Sequence, residues 1–487
     1  MALISGEEYK KRQKKIKHNV YIHGKKVENL EDNPVTKSVL DATALMFDLA
    51  LDPRYEYPMV ATSHLTGQKI NRNLHVNRNN DDLMGRADMA LLAGQKLGTC
   101  NYRCVGCDVT NALASVTWEM DRAEGTEYHG RFNQFLKKAQ ANDWACSGAL
   151  TDAKGDRSLK VGQGDPDMYL HMVEKKSDGI VVKGAKFHQS GAIAADWTLV
   201  MAGQGLREGS EDYAVAFAVP NSEEGLTYIT QYNPMSMERE YAKDVYELGN
   251  PLYGQRETCI MVFDNVFIPW ENVFMCGEAK YAGLAVTRFA KTHRMNCGGA
   301  CKVGFADIVI GAAALAAEYQ GTDRAPHIMT MITDMIRDSK QAHACAIAAA
   351  VRGFEEPLGS GVWMPDDLFG NVAKLTIAPG FWEIMSYAGD IAGGFITTMP
   401  SFEDLRNPST EAYLEKYLKV KVPAEKRMRI TKVLQNWAAG LHGAGTWHGA
   451  GSVQAQMISL MRVANIAEKK KIAMEIAGIE EEKEEKS

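Results

Sequence analysis

The chain lacks an excess of basic charge: 55 Lys and Arg stand against 61 Asp and Glu, a net charge of −6. No basic stripe interrupts the mixture, so the electrostatic footprint of a nucleic-acid binder is missing. Long apolar runs are scarce as well. The most apolar stretch, IVIGAAALAA at 308–317, falls well short of the ~20 residues a membrane span needs, and the opening MALISGEEYKKRQKK carries no apolar leader. The expectation is a cytoplasmic protein with neither nucleic acid nor membrane as a partner. Internal repeats are also absent. What the chain does have is bulk: 487 residues at 45% hydrophobic suffice for a large core and two to four domains.

Nine cysteines in such a chain point to free thiols or metal ligands rather than disulfides. Cys146, Cys259, Cys276 and Cys345 are isolated, and each is by default a small buried hydrophobe. The other five cluster. CNYRCVGC at 100–107 has the spacing C-x3-C-x2-C, with which radical S-adenosylmethionine enzymes hold a [4Fe–4S] cluster, and RFAKTHRMNCGGACKV at 288–303 adds His293, Cys297 and Cys301. Thiolates suit iron–sulfur clusters, and imidazole can replace one of them. Cys100 and Cys104, four apart, would share a helix face about 6 Å apart along its axis, from a rise of ~1.5 Å per residue. The same arithmetic pairs His293 with Cys297 and sets Cys301 ~12 Å from His293 on an unbroken helix. A break at Gly298-Gly299 would fold Cys301 back toward the histidine.

Three regions follow from the patterning. Residues 1–145 are helical in pattern: Ser5 and Glu8 form a capping box, TALMFDLALDP at 43–53 is helical until Pro53, and apolar residues recur at helical intervals from Arg86 to Asp121. Residues 146–275 carry short β-branched runs such as DGIVVKGAKF, WTLVMAG, YAVAFAVP and CIMVFDNVFIP. Residues 276–487 return to helices over 281–319, 324–354, 366–388 and 425–440, and the acidic tail IEEEKEEKS is a solvated end. This α–β–α order does not match the alternating strands and helices of a radical-SAM barrel.

The segments CNYRCVG, GALTDAKGDR, GAKFHQSGAI, VFDNVFIPWE, HRMNCGGACKVG, GDIAGGFITTMPS and HGAGSVQAQ resemble the 4-hydroxybutyryl-CoA dehydratase family. That family lies within the flavoprotein superfamily of acyl-CoA dehydrogenases and 4-hydroxyphenylacetate 3-monooxygenases. The resemblance implies an α+β, acyl-CoA dehydrogenase-like fold: an N-terminal helical domain (1–145), a middle β-barrel domain (146–275) and a C-terminal helical bundle (276–487). It implies a [4Fe–4S] cluster on Cys100, Cys104, His293 and Cys301, with Cys107 a bystander and Lys302 placed by the cysteine before it. It also implies FAD held by Leu150, Thr151, Asp152, Lys154, Asp156 and Arg157, by His188, Gln189 and Ser190, and by Ile391, Ala392, Gly393 and Gly394. The resemblance further implies a homotetramer with FAD near subunit interfaces.

The implied reaction is removal of water from a coenzyme A thioester, 4-hydroxybutyryl-CoA, to give crotonyl-CoA by a radical route, with or without vinylacetyl-CoA isomerisation. His293 would be ligand and base, and Glu257 a second base. The chain departs from the family pattern in four places: one extra residue separates His293 from Cys301, Cys297 replaces a tyrosine, Glu257 stands one position off, and Gly445 replaces a glutamate. An aromatic monooxygenase fed with reduced flavin is the alternative on the same fold, and a cluster-bearing electron carrier is the non-enzymatic one.

Overall fold

The computed structural model describes residues 3–232, 239–254, 256–439 and 441–479. The acidic tail from residue 480 onward and Gln255 of the QRET segment lie outside them. The capping box forms: Ser5 accepts from the Glu8 N–H at 3.2 Å, and Glu8 accepts from the Ser5 N–H at 2.7 Å, opening the Gly6–Gln13 helix. The Pro34–Leu51 helix stops before Pro53, as its pattern requires. The pattern from 86 to 121 divides into two helices, Asn80–Leu97 and Cys104–Glu124. Gly98 ends the first at φ 60°, a left-handed cap that a side chain would strain.

The middle region holds two sheets. In the six-stranded sheet the order is Lys25–Val27, Val20–Ile22, Leu226–Thr230, Thr258–Pro269, Gly179–Ser190, His171–Lys175; in the four-stranded one it is Val273–Cys276, Val215–Pro220, Trp197–Val200, Cys146–Ala149. The expected closed barrel is not there. A barrel requires the first and last strands to pair, and among the described residues each sheet keeps two free edges. The sheets meet through side chains instead, as where Phe217 and Phe263 pack edge to face at 6.0 Å. Two strands of the larger sheet come from residues 20–27, so the first region is not helical throughout and is stitched to the second.

The C-terminal region is built on a continuous helix, Ala279–Gln320, packed against Pro326–Val351 and Asp367–Ala392. By length and composition this helix passes for a membrane span, which its most apolar ten residues did not announce, yet 61% of its apolar window is buried inside the protein. The expected break at Gly298-Gly299 is absent as well. Residues Arg294–Cys301 wind instead as a π-helix between two α-helical arms, Ala279–His293 and Lys302–Gln320. The glycines serve close packing. A Cβ on Gly298 would meet Lys374 Cβ at 3.0 Å, and one on Gly299 would meet Ala346 Cβ at 2.5 Å.

Gly94 makes the corresponding approach from the Asn80–Leu97 helix, where a Cβ would lie 2.5 Å from the Cys301 carbonyl oxygen. Gly94→Ala is expected to cost about 1–3 kcal/mol through overpacking. Gly130→Ala, with open space around its Cβ in the Tyr128–Asn142 helix, is expected to gain about 0.5–1 kcal/mol. Thermal melts of the two variants check this, and a Gly94→Ala protein melting like the parent refutes the close contact.

Candidate active site

The thiol cluster is assembled from a loop and the π-helix. Residues 99–103 form the loop after Gly98, and Asn101 Oδ1 accepts from the Arg103 and Cys104 N–H groups at 3.0 and 2.9 Å, starting the Cys104–Glu124 helix. Tyr102 adopts φ 59°. Cys100 is therefore in the loop and Cys104 in the first helical turn, which corrects the expectation of one shared helix face. Their thiols are nonetheless close enough that each shifts the other's titration. His293 closes the α-helical arm and is coupled in the same way to the Cys297 thiol within the π-helix, whose last residue is Cys301.

Charge couples the two segments. The Cys100 thiol is lowered to about 7 by its hydrogen bond with Cys104, against desolvation and with help from Arg256. Desolvation pushes Cys297 up, but the Lys302, His293 and Arg256 cations hold it at about 5. Cys104 is driven up by its bond to Cys100 and by desolvation; Cys301 is driven up by desolvation and by the negative charge on Cys297 and Cys100. The negative charge thus falls on one thiol of each segment, Cys100 and Cys297, while Cys104 and Cys301 keep their protons. His293 is opposed by burial yet raised to about 9 by Cys297 and Asp108.

Cys107 stands apart from this group. Its thiol is buried and donates to the Arg72 carbonyl at 3.7 Å, and the charges acting on it are those of Arg86, Asp108, Arg103 and Arg72. Among the described residues no three His, Cys, Asp or Glu side chains stand in ready metal-binding geometry. The donor set itself is soft, four thiols and an imidazole, and suits an iron–sulfur cluster rather than a hard cation.

Four participants were not singled out from the sequence. Asp108 accepts from three sides: His293 Nδ1 lies 2.7 Å from its Oδ2, and Asn296 Nδ2 and Arg86 Nη2 lie 3.0 and 3.3 Å from its Oδ1. Arg256 donates to Ser190 Oγ at 3.1 Å and to the Gly445 carbonyl at 3.5 Å. Lys374, fully buried, donates to the Thr446 and Trp447 carbonyls at 2.8 Å each. Tyr102 OH accepts from the Glu257 N–H at 3.1 Å. The one available signal was Asp108 itself, an acid within an apolar helical run, one turn beyond Cys104.

Glu257 is 4% exposed, buried where a glutamate beside a strand is ordinarily solvated. Lys302 is buried and donates to the Gly449 carbonyl at 2.7 Å. The flavin candidates divide. Leu150, Thr151 and Asp152 run beside His188, Gln189 and Ser190, linked by the Phe187 N–H to Thr151 carbonyl bond at 2.7 Å. Asp152 is committed internally to buried Lys186 at 2.7 Å. Lys154 (φ 69°) and His188 (φ 62°) adopt left-handed backbone, while Asp156 and Arg157 are exposed. Ser190 meets the thiol site through Arg256. Ile391, Ala392, Gly393 and Gly394 lie elsewhere, at the end of the Asp367–Ala392 helix. Along that helix they are ~25 Å from Lys374 at ~1.5 Å per residue, and open space surrounds both glycines where a Cβ would stand.

Residues 5–275 match the family described as 4-hydroxyphenylacetate 3-hydroxylase N terminal, and residues 282–478 the corresponding C-terminal family. The 4-hydroxybutyryl-CoA dehydratase/vinylacetyl-CoA-Δ-isomerase of Clostridium aminobutyricum is 40% identical over 98% of this chain and 100% of its own length. The structure of an oxygen-tolerant archaeal 4-hydroxybutyryl-CoA dehydratase from N. maritimus superimposes with a TM-score of 0.95 at 37% identity, covering 99% of this chain and 96% of the other. The FAD complex of the oxygenase component of 4-hydroxyphenylacetate 3-monooxygenase, 23% identical, shares the fold with a TM-score of 0.84, covering 97% of this chain and 98% of that one. A chain so similar along its whole length belongs to the 4-hydroxybutyryl-CoA dehydratase family, within the wider 4-hydroxyphenylacetate 3-hydroxylase fold.

Proposed function

We propose that this enzyme is a hydro-lyase that converts 4-hydroxybutyryl-CoA to crotonyl-CoA, and that it also isomerises vinylacetyl-CoA. It would use FAD held on the 150–190 face and a [4Fe–4S] cluster on Cys100, Cys104, His293 and Cys301. The observation that carries the reading is that the charge of Arg256, which touches Ser190, acts on four thiols brought in from two distant segments, with His293 coupled to Cys297 beside them. The π-helix supports Cys301 as the fourth ligand. Each i→i+5 turn takes up one more residue than an α-turn, so the extra residue between His293 and Cys301 is absorbed without a break. Cys297 is the competing ligand, favoured by its bond to His293.

Bound together, the flavin supplies a reversible one-electron acceptor and the cluster a Lewis-acidic iron. The chain's own groups manage the protons. Two protons leave the substrate, from C2 and C3; one returns to C4 and the other departs with the C4 hydroxide as water. The Glu257 carboxylate, and His293 Nε2 when it is released from the metal, are the acceptors this site offers. Arg256 lies beside them, and Lys302 and Lys374 pin the glycine-rich 443–452 segment against the site. The separation of Ile391–Gly394 from the 150–190 group fits a flavin gripped by two copies of the chain in a homotetramer. Exposed Met329, Trp382, Met457 and Met461 supply apolar surface for such assembly.

Purified without oxygen, the protein is expected to carry about four irons and one FAD per chain and to form crotonyl-CoA with no external reductant. Product analysis by mass decides between the functions. A cluster- and flavin-loaded preparation that releases no water from the substrate, or that hydroxylates a phenol when given oxygen and reduced flavin, defeats the dehydratase reading.

Cys301→Ala is expected to lose iron, whereas Cys297→Ala and Cys107→Ala retain it. Iron content of the three variants tests this, and the reverse pattern moves the ligand role to Cys297. His293→Ala is expected to abolish dehydration, at least the ~10²–10⁴-fold typical of a lost proton-transfer group.

A further inference from the structure

Asp108 sits on the Cys104–Glu124 helix one turn beyond Cys104 and is fully buried. A carboxylate offers only acceptors, so the 2.7 Å contact from His293 Nδ1 to Oδ2 requires the proton on Nδ1 and makes Nε2 the nitrogen whose lone pair a metal would take. The ring is held on a second side too, stacked on Phe289 with centroids 5.0 Å apart and planes 25° from parallel. Asp108 is itself fixed from two other elements. Asn296 reaches its Oδ1 from the π-helix, and Arg86 reaches it from the Asn80–Leu97 helix while also donating to the Cys104 carbonyl at 3.2 Å. The imidazole contact is the shortest of the three, shorter than the 3.3 Å ion pair with Arg86.

We propose that Asp108 is the positioning residue of the cluster: it sets the His293 tautomer and turns Nε2 toward the thiols, while Arg86 and Asn296 hold the carboxylate in place. This rests on the reading of His293 as an iron ligand. Metal-bound histidines commonly donate their other N–H to a carboxylate, and loss of such a partner costs about 10–100-fold in metal affinity. An asparagine at 108 can present its NH₂ to Nδ1, which demands the opposite tautomer and blocks Nε2.

The test compares Asp108→Asn in two anaerobically reconstituted backgrounds, the parent enzyme and His293→Cys, in which a thiolate replaces the imidazole. In the parent, Asp108→Asn is expected to lower the cluster's resistance to an iron chelator by about 10–100-fold and to shift its reduction potential, with flavin content unchanged. In His293→Cys the same substitution is expected to leave both cluster readouts as they were, because the residue acts through the imidazole. An equal loss in both backgrounds makes Asp108 merely structural, and no loss in the parent removes the role outright. A His293→Ala protein with an unaltered cluster defeats the ligand reading, and the proposal with it. Should Asp108→Asn not fold, pulsed EPR of the parent enzyme labelled with ¹⁵N-histidine decides. A remote ring nitrogen bearing an exchangeable proton is expected, and its absence overturns the assignment.

Discussion

An ionised group taken out of water costs several kcal/mol unless opposite charge and hydrogen bonds surround it, and the centre of this protein buries many. Lys302, Lys374, Arg86, Asp108 and His293 are all less than a tenth exposed. Side-chain anions are too few to match the cations, so backbone carbonyls complete the set. Lys302 takes the Gly449 carbonyl, and Lys374 takes those of Thr446 and Trp447, at the carboxyl end of the Leu441–His448 helix where the helix dipole is negative. Burial and the neighbouring Lys302 bring Lys374 down to about 5, which lightens the charge to be matched. The glycine-rich turn is thereby held over the thiols by two lysines that cannot reach water.

Such matching requires backbones in contact, and small residues supply it. Gly94 faces the Cys301 carbonyl, a Cβ on Gly304 would lie 2.5 Å from the Leu91 carbonyl oxygen, and Gly298 lies against Lys374. This explains where sequence patterning misled. A glycine pair inside a helical pattern signals either a break or a close approach, and local sequence does not contain the neighbour that distinguishes them. At 298–299 the neighbours are Lys374 and Ala346, brought in from helices some 50–80 positions away along the sequence. The helix accommodates the pair by widening to π-winding rather than by breaking. The barrel failed for a related reason. Strand runs are local, whereas closure depends on pairing between edges, and residues 20–27 occupy a position beside Leu226–Thr230 that no pattern within 146–275 discloses.

Helices were legible because their signals are local: apolar spacing, Pro53 as a stop, and Ser5 with Glu8. The thiols were legible as a set because spacing and residue type are both visible in a string. Their surroundings were not. Asp108 and His293 are 185 positions apart, and Arg256 and Gly445 are 189 apart. Buried contacts of that kind have no period, and a lone aspartate or arginine carries no mark of its future partner. Tyr102 shows the intermediate case. It lay inside the quoted octapeptide, yet its link to Glu257 follows from a left-handed backbone turn that the residue type disfavours.

Gly445 connects these strands. A side chain there would begin 3.1 Å from Arg256 Nη1, and in its absence the guanidinium lies against the backbone, donating to the Gly445 carbonyl and to Ser190. The family glutamate at this position would place a carboxylate opposite that cation. Here a neutral carbonyl does so, and no carboxylate at 445 offsets the field with which Arg256 lowers Cys100 and Cys297. His293, backed by Asp108, and Glu257, enclosed beside Tyr102, are the two buried groups to which the proposed function assigns the protons.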